Sequence, residues 1–513
     1  MPQVQEKNQR RDSTWDDLVK VMKANGQKID HEVVKKAYDF ANIAHKGQLR
    51  ESGQPYLQHP LKTAITLAEM RLDQPTIIAG LLHDVAEDTN YNLVEIEKRF
   101  GSEVGQLVTG ITKLGKIRYQ GIERYAENLR KMFISMAQDV RVVLIKMADR
   151  LHNLQTIGWL PLDKQRRIAI EVMEIYAPIA NRLGMGQLKG ELEDLAFPLA
   201  YPDEWKRFKD TVLPQYRARV EETEKVIAEI RKLLASNKIK IIDIHGRAKH
   251  YYSLYRKLLL PQYGNNLNLI YDLVAIRIVL PNADECYKAM GAIHTRFTPL
   301  PGRIKDYIAQ PKPNHYQSLH TTVFASGGKI IEVQIRDPKM HQVAEYGIAA
   351  HWRYKELGKH FFSRLTKLPG FHARGYVVPK KLQWIQELAH WQEEVADTRQ
   401  FLKRLKIDAF KDRIFVFTPN GDVIDLPDEA TPIDFAYYIH TDIGNTCSGA
   451  KINGKLEQLD TQLKNGDVVE FITEKNRRGP NRDWLHFAKT AQARNRIRAT
   501  LRRLRQSNVN HPG

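Results

Sequence analysis

The feature that most constrains this chain is a change of hydrophobic period near residue 241. From about 15 to 200, apolar residues recur at three- and four-residue spacing, as in Val33, Ala37, Phe40, Ala41 and Ala44. That spacing is one buried stripe of a helix, repeated over enough chain for an all-α domain. Residues 203–240 continue as one or two amphipathic helices. From 241 the runs KIKIIDI, LVAIRIVL, TTVFA and KIIEVQIR are rich in β-branched residues and separated by helical stretches, the pattern of an α/β or α+β unit. Between 412 and 473 the runs shorten. Pro-Asn-Gly-Asp in DRIFVFTPNGDVIDLP and Asn-Gly in AKINGKLE mark hairpin turns there. At about 150 residues per domain, 513 residues make three or four domains. The expected layout is helical over 15–200, α/β over 201–375, a helical connector over 376–410, a small β-rich domain over 411–474 and a basic helical tail over 475–513.

Charge narrows the function classes. The net charge is +19, and it is concentrated: residues 245–375 hold 19 basic and 8 acidic residues, and residues 475–505 hold 11 and one. Two basic zones in a near-neutral body fit two polyanion sites, for nucleotide phosphates or nucleic acid. The plainer reading of either zone is solvated surface. Two cysteines, Cys286 and Cys447, exclude a disulfide framework and a four-cysteine zinc site. The amino terminus has no apolar h-region and no run approaches about 18 apolar residues. The expectation is a soluble, cytoplasmic protein with no membrane partner.

Within the helical part, LLHDVAEDT places His83, Asp84, Glu87 and Asp88 within six residues of an apolar helix. Positions i, i+1, i+4 and i+5 fall on one side, so four ligand-type groups converge on one patch. Imidazole with carboxylate suits Mn, Fe, Zn or a similar divalent ion. His59 in QHP and Asp149 in KMADRLHN offer further ligands from separate helices. Leucines, valine and alanine surround these charges, and an unpaired buried charge is costly, which weighs against an ordinary core histidine beside solvated carboxylates.

AHKGQ…YLQHP, LLHDVAEDT, GITKLGK and KMADRLHNLQT resemble the HD hydrolase domain of the RelA/SpoT family, whose members make and degrade the guanosine alarmone (p)ppGpp in the stringent response. The resemblance implies that His59, His83, Asp84 and Asp149 hold one Mn2+ and that Glu87 and Asp88 orient and activate the water that attacks the 3′-pyrophosphate. It also implies that Arg50, Asn153 and Thr156 contact the nucleotide. Where the family usually has a second basic residue after that arginine, this chain has Glu51.

The second constellation begins at GRAKHYYSLYRK, where Arg247, Lys249, Arg256 and Lys257 surround a glycine, an arrangement suited to a triphosphate. YDLVAIRIV opens a buried strand with Asp272. In KIIEVQIR, Glu332 and Gln334 share one face while Ile331, Val333 and Ile335 share the other. Such a strand either lines an active site or forms an edge with a solvated polar face, and the basic, aromatic segment GRIKDYIAQPKPNHYQSLHTTV tips the balance to the former. These blocks resemble the RelA/SpoT synthetase domain, similar in fold to nucleotidyltransferases. The resemblance implies transfer of the β,γ-pyrophosphate of ATP to the 3′-hydroxyl of GDP or GTP. By the same resemblance, Asp272 and Glu332 hold Mg2+, and Glu332 accepts the hydroxyl proton. Arg247, Lys249 and Lys305 stabilise the transferring group. Tyr316 stacks on guanine, and Arg247 with Arg277 sandwiches adenine. Strand alternation points Arg277 away from Asp272, so a twist or bulge must bring it round. The loop Arg303-Ile304-Lys305-Asp306 is the basic RxKD pattern of members that both make and degrade the alarmone, and it occurs here with an intact HDxxED.

Residues 412–473 resemble a TGS domain, a β-grasp module. That resemblance implies that His440 contacts the 3′ end of deacylated tRNA on a ribosome; the alternative is a histidine in an ordinary turn. In RRGPNRDWLHFAKTAQARNRIRATLRRLRQ the arginines fall around the helix, which suits phosphate contact better than a membrane face. The resemblance runs from about 30 to 505, short of the zinc-finger-like and ACT modules with which such members usually continue. The expected fold is therefore multidomain α and α+β: an all-α HD hydrolase domain, an α/β nucleotidyltransferase-like synthetase domain, a β-grasp TGS domain and a basic helical tail. The expected function is a bifunctional (p)ppGpp synthetase/hydrolase. The alternatives are a hydrolase-dominant enzyme with weak synthesis, and an RNA-binding regulator whose catalytic domains act as nucleotide sensors.

Overall fold

The computed structural model describes residues 12–509 apart from 26–28, 116–121, 265, 271–272, 312–315, 326–328, 348, 350–412, 421–422, 465, 475–476 and 478. It divides into two units, Met1–Gln310 with Gln317–Glu394, and Pro311–Tyr316 with Val395–Gly513. The connector expected over 376–410 lies outside the described residues.

Up to Ser236 the described part of the first unit is helical. Polar residues start its helices where turn gives way to apolar period. Thr14 and Asn92 form capping boxes with Asp17 and Glu95, and Asp30 and Asp73 accept hydrogen bonds from first-turn amides. At the centre pack α1 (Gln58–Glu69), α2 (Gln74–Leu82) and α3 (Arg141–Gln155). Twelve of the fifteen residues of α3 are buried, Arg141, Lys146, Asp149 and His152 among them. A helix so enclosed must satisfy its charges internally. Arg141 does so with Asp73, Glu103 and Asp139, at 2.9, 2.7 and 2.6 Å.

Two helices, α4 (Gly186–Ala200) and α5 (Leu213–Ser236), lead into a five-stranded sheet. Its strands are β1 (Asp243–Ala248), β2 (Val274–Val279), β3 (Lys305–Asp306), β4 (Leu319–Ala325) and β5 (Lys329–Arg336), in the order β1-β2-β5-β4-β3. The β2–β5 pair is parallel and the other pairs are antiparallel. One face carries Ile244, Ile276, Ile278, Leu319, Val323, Val333 and Ile335, which form a core with α5 and with α6 (Ala283–Arg296). Burying each such side chain contributes about 1.5–3 kcal/mol. Register is fixed accordingly, since a one-residue slip would drive Glu332 and Arg277 into this core. After β5 comes α7 (Pro338–Tyr346).

Two glycines permit close approach between the helical and sheet portions of this unit. Gly347 has φ +54°, and a Cβ there would lie 2.3 Å from the carbonyl oxygen of Leu183. Gly190 in α4 stands against the His250 ring, 2.0 Å from where a Cβ would be. His250 Nδ1 is in turn 2.9 Å from Asp194 Oδ2, and the Tyr252 N–H donates to Asp194 Oδ1 at 3.1 Å.

In the second unit β6 (Arg413–Phe417) pairs with β7 (Val423–Pro427), and β8 (Cys447–Ile452) lies between β9 (Lys455–Glu457) and β10 (Val469–Thr473). Val416, Leu426, Ala450 and Val469 close a core with Phe435 of α8 (Pro432–Ile439). The tail helix α9 (Ala491–Val509) packs Ala493 and Ile497 against Ile433 and Tyr437. Arg494 and Arg496 donate to the carbonyls of Leu485 and Tyr437. The expected all-round display of arginines is therefore narrower: docking occupies one side of the helix, while Arg498, Arg502 and Arg503 remain exposed.

Candidate functional site

LLHDVAEDT does not run as one helix. α2 ends at Leu82, His83 and Asp84 form the joint, and a single turn follows at Val85–Asp88. The break separates groups that a continuous helix would keep on one stripe. His83 is 1 % exposed, whereas Glu87 and Asp88 reach the surface. The first turn of α1 supplies His59 and the middle of α3 supplies Asp149, both 3 % exposed. Ligand atoms of His59, His83 and Asp149 lie within 4.8 Å of one another. Asp84 stands beside them, its carboxylate oxygens 3.5 Å from His59 Nε2 and 3.2 Å from His83 Nε2.

This donor set fits a divalent cation. His83 Nδ1 meets the Gly80 carbonyl at 2.8 Å, so the proton sits on Nδ1. Its buried Nε2 faces the cluster with no hydrogen-bond partner among the described residues. Burial lowers the pKa of His59. Burial acts to raise Asp149, but Lys146 (Nζ 2.7 Å from Oδ2), His59 and Arg150 outweigh it and hold the carboxyl well below its usual range. At Asp84, burial is likewise outweighed by His83 and His59, and the pKa is lowered. Imidazole nitrogens converging with carboxylates of lowered pKa are a donor set of the kind that ligates a divalent metal.

Around this centre, Glu87 has its pKa raised by partial burial, with Asp84 and Asp88 adding to the rise. Tyr56 donates to Asp88 Oδ2 at 2.6 Å and lies 3.2 Å from Asp84 Oδ2. Arg50 donates to Asn153 Oδ1 at 3.0 Å, and Asn153 donates to Asp149 Oδ1 at 2.6 Å. Thr156 ends α3, its hydroxyl donating to the His152 carbonyl at 3.0 Å. Sequence reasoning did not single out Tyr56, Lys146 or His152. For Lys146 the available signal was its i,i+3 spacing to Asp149 on a helix that is otherwise rich in apolar residues.

The sheet gives the second cluster. Cα pairing aligns Arg247 with Ala275, Arg277 with His245 and Gln334, Glu332 with Ala275 and Thr322, and His320 with Lys305 and Gln334. Directly paired residues share a face. The side opposite the core therefore carries Arg247, Arg277, Lys305, His320, Glu332, Gln334 and Arg336. With β5 between β2 and β4, Glu332 sits mid-sheet and not on an edge strand. His320 Nδ1 lies 3.3 Å from Glu332 Oε1.

Arg277 lies on the Glu332 face and is buried there. Regular pairing brings it to the Glu332 face with no bulge. Its side chain is nevertheless only 3 % exposed, with Nη1 2.8 Å from Glu345 of α7. Glu345 is shared with fully buried Arg336 at 3.7 Å. Burial, then Arg336, lowers the Arg277 pKa to about 10. Lys249 follows β1, its N–H bonded to the Leu273 carbonyl at 3.1 Å. Asp272 lies outside the described residues. Tyr316 falls in Pro311–Tyr316, which groups with the second unit. In that unit His440 is exposed, and its Nδ1 accepts from the Asp442 N–H at 3.2 Å, capping the short helix Thr441–Thr446.

Three family models match: an HD domain over residues 37–186, a region found in RelA and SpoT proteins over 246–359, and a TGS domain over 414–473. The chain is 46 % identical to a protein of Myxococcus xanthus named GTP pyrophosphokinase, over 92 % of this chain and 61 % of the relative. It is 44 % identical to the bifunctional (p)ppGpp synthase/hydrolase RelA of Mycobacterium tuberculosis, over 94 % of this chain and 64 % of that protein. The chain is similar, along most of its length, to proteins of the RelA/SpoT kind. It is also 44 % identical to a guanosine-3′,5′-bis(diphosphate) 3′-pyrophosphohydrolase of Aquifex aeolicus, over 92 % of this chain and 65 % of that one. The chain spans about three fifths of the length of the curated relatives it matches. The HD match contains the His/Asp cluster, and the RelA/SpoT match contains the sheet face from Arg247 to Glu332. Among the described residues no helix is long and apolar enough to cross a membrane.

Proposed function

We propose that this chain is a bifunctional guanosine alarmone enzyme. It transfers pyrophosphate from ATP to the 3′-hydroxyl of GDP or GTP, and it hydrolyses the resulting (p)ppGpp to GDP or GTP and pyrophosphate. The observation that carries this reading is one unit holding two distinct sites: a buried His59/His83/Asp84/Asp149 cluster suited to a metal, and a cationic sheet face centred on Glu332.

In the hydrolase we assign Mn2+ to His59, His83, Asp84 and Asp149. When bound, it supplies Lewis-acid polarisation of the phosphate and an acidified water. Glu87 is the base we assign to that water's proton, and its raised pKa supports the role. Asp88, held by Tyr56, orients the same water. Arg50, Asn153 and Thr156 border the nucleotide.

In the synthetase, Asp272 and Glu332 are assigned to Mg2+, and Glu332 takes the 3′-hydroxyl proton. Arg247, Lys249 and Lys305 offset the charge of the transferring group, since such transfer depends on positioning and electrostatics. Tyr316 is assigned to guanine, and Arg247 and Arg277 to adenine. The burial of Arg277 against Glu345 favours a hydrolase-weighted balance, because that guanidinium must leave its partner before it can stack on a base. For the second unit we infer a ribosome and deacylated tRNA as partners, supported by exposed His440 and the exposed tail arginines.

The test is to incubate purified protein with ATP, GDP and Mg2+, and separately with ppGpp and Mn2+, and to resolve the products chromatographically. Formation of ppGpp in the first and of GDP plus pyrophosphate in the second is expected. Absence of both overturns the proposal in favour of an RNA-binding regulator.

A further inference from the structure

His152 and Arg50 close a ring of side chains around one edge of the metal cluster. Arg50 Nη2 donates to Asn153 Oδ1 at 3.0 Å, and Asn153 Nδ2 donates to Asp149 Oδ1 at 2.6 Å. Arg50 Nη1 lies 3.2 Å from His152 Nδ1, and that nitrogen lies 2.8 Å from His59 Nδ1. His59 Nε2 closes the ring at 3.1 Å from Asp149 Oδ1. Two of the five members are assigned metal ligands, and His152 and Asn153 link both of them to one guanidinium.

The contact with Arg50 selects one placement of the protons around the ring. A guanidinium only donates. His152 Nδ1 must then carry a lone pair, so the hydrogen in the contact between the two histidines belongs to His59 Nδ1. His59 Nε2 is thereby left with its lone pair, directed at Asp149, Asp84 and His83, which is the tautomer that ligates a metal. The same guanidinium, donating to Asn153 Oδ1, fixes that amide so that its NH2 faces Asp149. Without Arg50 and His152, the opposite His59 tautomer, with Nε2–H donating to Asp149, would be at least as favourable. That tautomer cannot bind a cation at Nε2.

We propose that His152 is the positioning residue of the metal centre, accepting the His59 Nδ1 proton and, with Arg50, locking His59 in its metal-binding tautomer. The inference rests on the hydrolase reading above. It gives Arg50 a second task besides bordering the nucleotide, so the residue facing substrate also helps set the affinity for the ion.

The test is direct Mn2+ titration of the full chain, reading free Mn2+ by electron paramagnetic resonance, with far-UV circular dichroism melts as the folding control. His152→Leu fills the same space without an acceptor and is expected to weaken Mn2+ binding about 10–100-fold. His152→Asn keeps an acceptor near the Nδ1 position and is expected to recover most of that loss. Arg50→Met, altered at the rim where the core is untouched, reads the same link if His152→Leu melts early, and should weaken binding several-fold. Wild-type Mn2+ affinity in folded His152→Leu or in Arg50→Met overturns the proposal, as does equal loss in His152→Asn and His152→Leu. Asp84→Ala separates this inference from the reading beneath it. If Asp84→Ala leaves Mn2+ binding intact, the metal centre itself is wrong. If it abolishes binding while His152→Leu does not, only the positioning role falls.

Discussion

Gln334 holds Glu332: its amide nitrogen donates to Glu332 Oε1 at 2.7 Å, while its carbonyl accepts from Arg336 Nη2 at 2.9 Å. Because arginine can only donate, the amide has one orientation. A fully buried guanidinium thus aims the carboxylate proposed as the synthetase base. A hydrogen bond to a charged group contributes about 1.5–3 kcal/mol, which corresponds to roughly 10–100-fold in rate. Gln334→Leu should therefore lower kcat for pyrophosphate transfer by that factor and leave ppGpp hydrolysis unchanged. Steady-state kinetics of both reactions on one preparation checks this.

Glu345 is the shared counter-charge of Arg277 and Arg336. Burial acts to raise its pKa, but Arg277, Arg247 and Arg336 outweigh burial and the pKa is lowered. The folded state then holds the Glu345 proton less tightly than the unfolded chain does. Its stabilising contribution is complete above the ordinary carboxylate range and is lost as pH falls through that range toward the folded pKa. Removing one partner of a buried pair costs about 3–5 kcal/mol. Glu345→Gln should lower the urea midpoint of the first unit at pH 7 and show a shallower loss of stability than wild type below about pH 5. Parallel curves across that interval would contradict the assignment.

Asp434 is a buried junction in the second unit. Its carboxylate accepts from the Thr431 N–H and hydroxyl at 2.9 and 2.8 Å, from the Lys489 N–H at 2.9 Å, and from the Thr490 N–H and hydroxyl at 2.7 and 2.9 Å. It joins the start of α8 to the approach of α9. Asp434→Ala leaves those donors buried and unsatisfied, at about 1–3 kcal/mol each where water cannot enter. Limited proteolysis should then cut between 474 and 490 in the variant well before wild type, with both catalytic rates unaltered.

The parts of the site that follow from local period were legible in the sequence. Alternation alone placed Glu332 and Gln334 opposite Val333 and Ile335, and the change of period at 241 separated helices from sheet. His59, His83, Asp84 and Asp149 stood out as ligand-type residues in apolar runs. What escaped depended on contacts between distant segments. His152 on a largely buried helix looks like a core histidine until Arg50, 102 residues away, is found on its Nδ1. Counting from Asp272 does not fix the face of Arg277, because Asp272 precedes the first residue of β2. The facing strand settles its side, and Glu345 from a later helix determines its burial. The helix break at His83–Asp84 had no signal in composition, since neither glycine nor proline marks it.

The central claim is two independent active sites on one chain, and crossed substitution tests it most directly. Asp84→Ala and Glu332→Gln would each be assayed for ppGpp hydrolysis with Mn2+ and for pyrophosphate transfer from ATP to GDP with Mg2+. Asp84→Ala should abolish hydrolysis and retain transfer, and Glu332→Gln should do the reverse. Loss of both activities in either folded variant, or retention of hydrolysis in Asp84→Ala, would contradict the assignment.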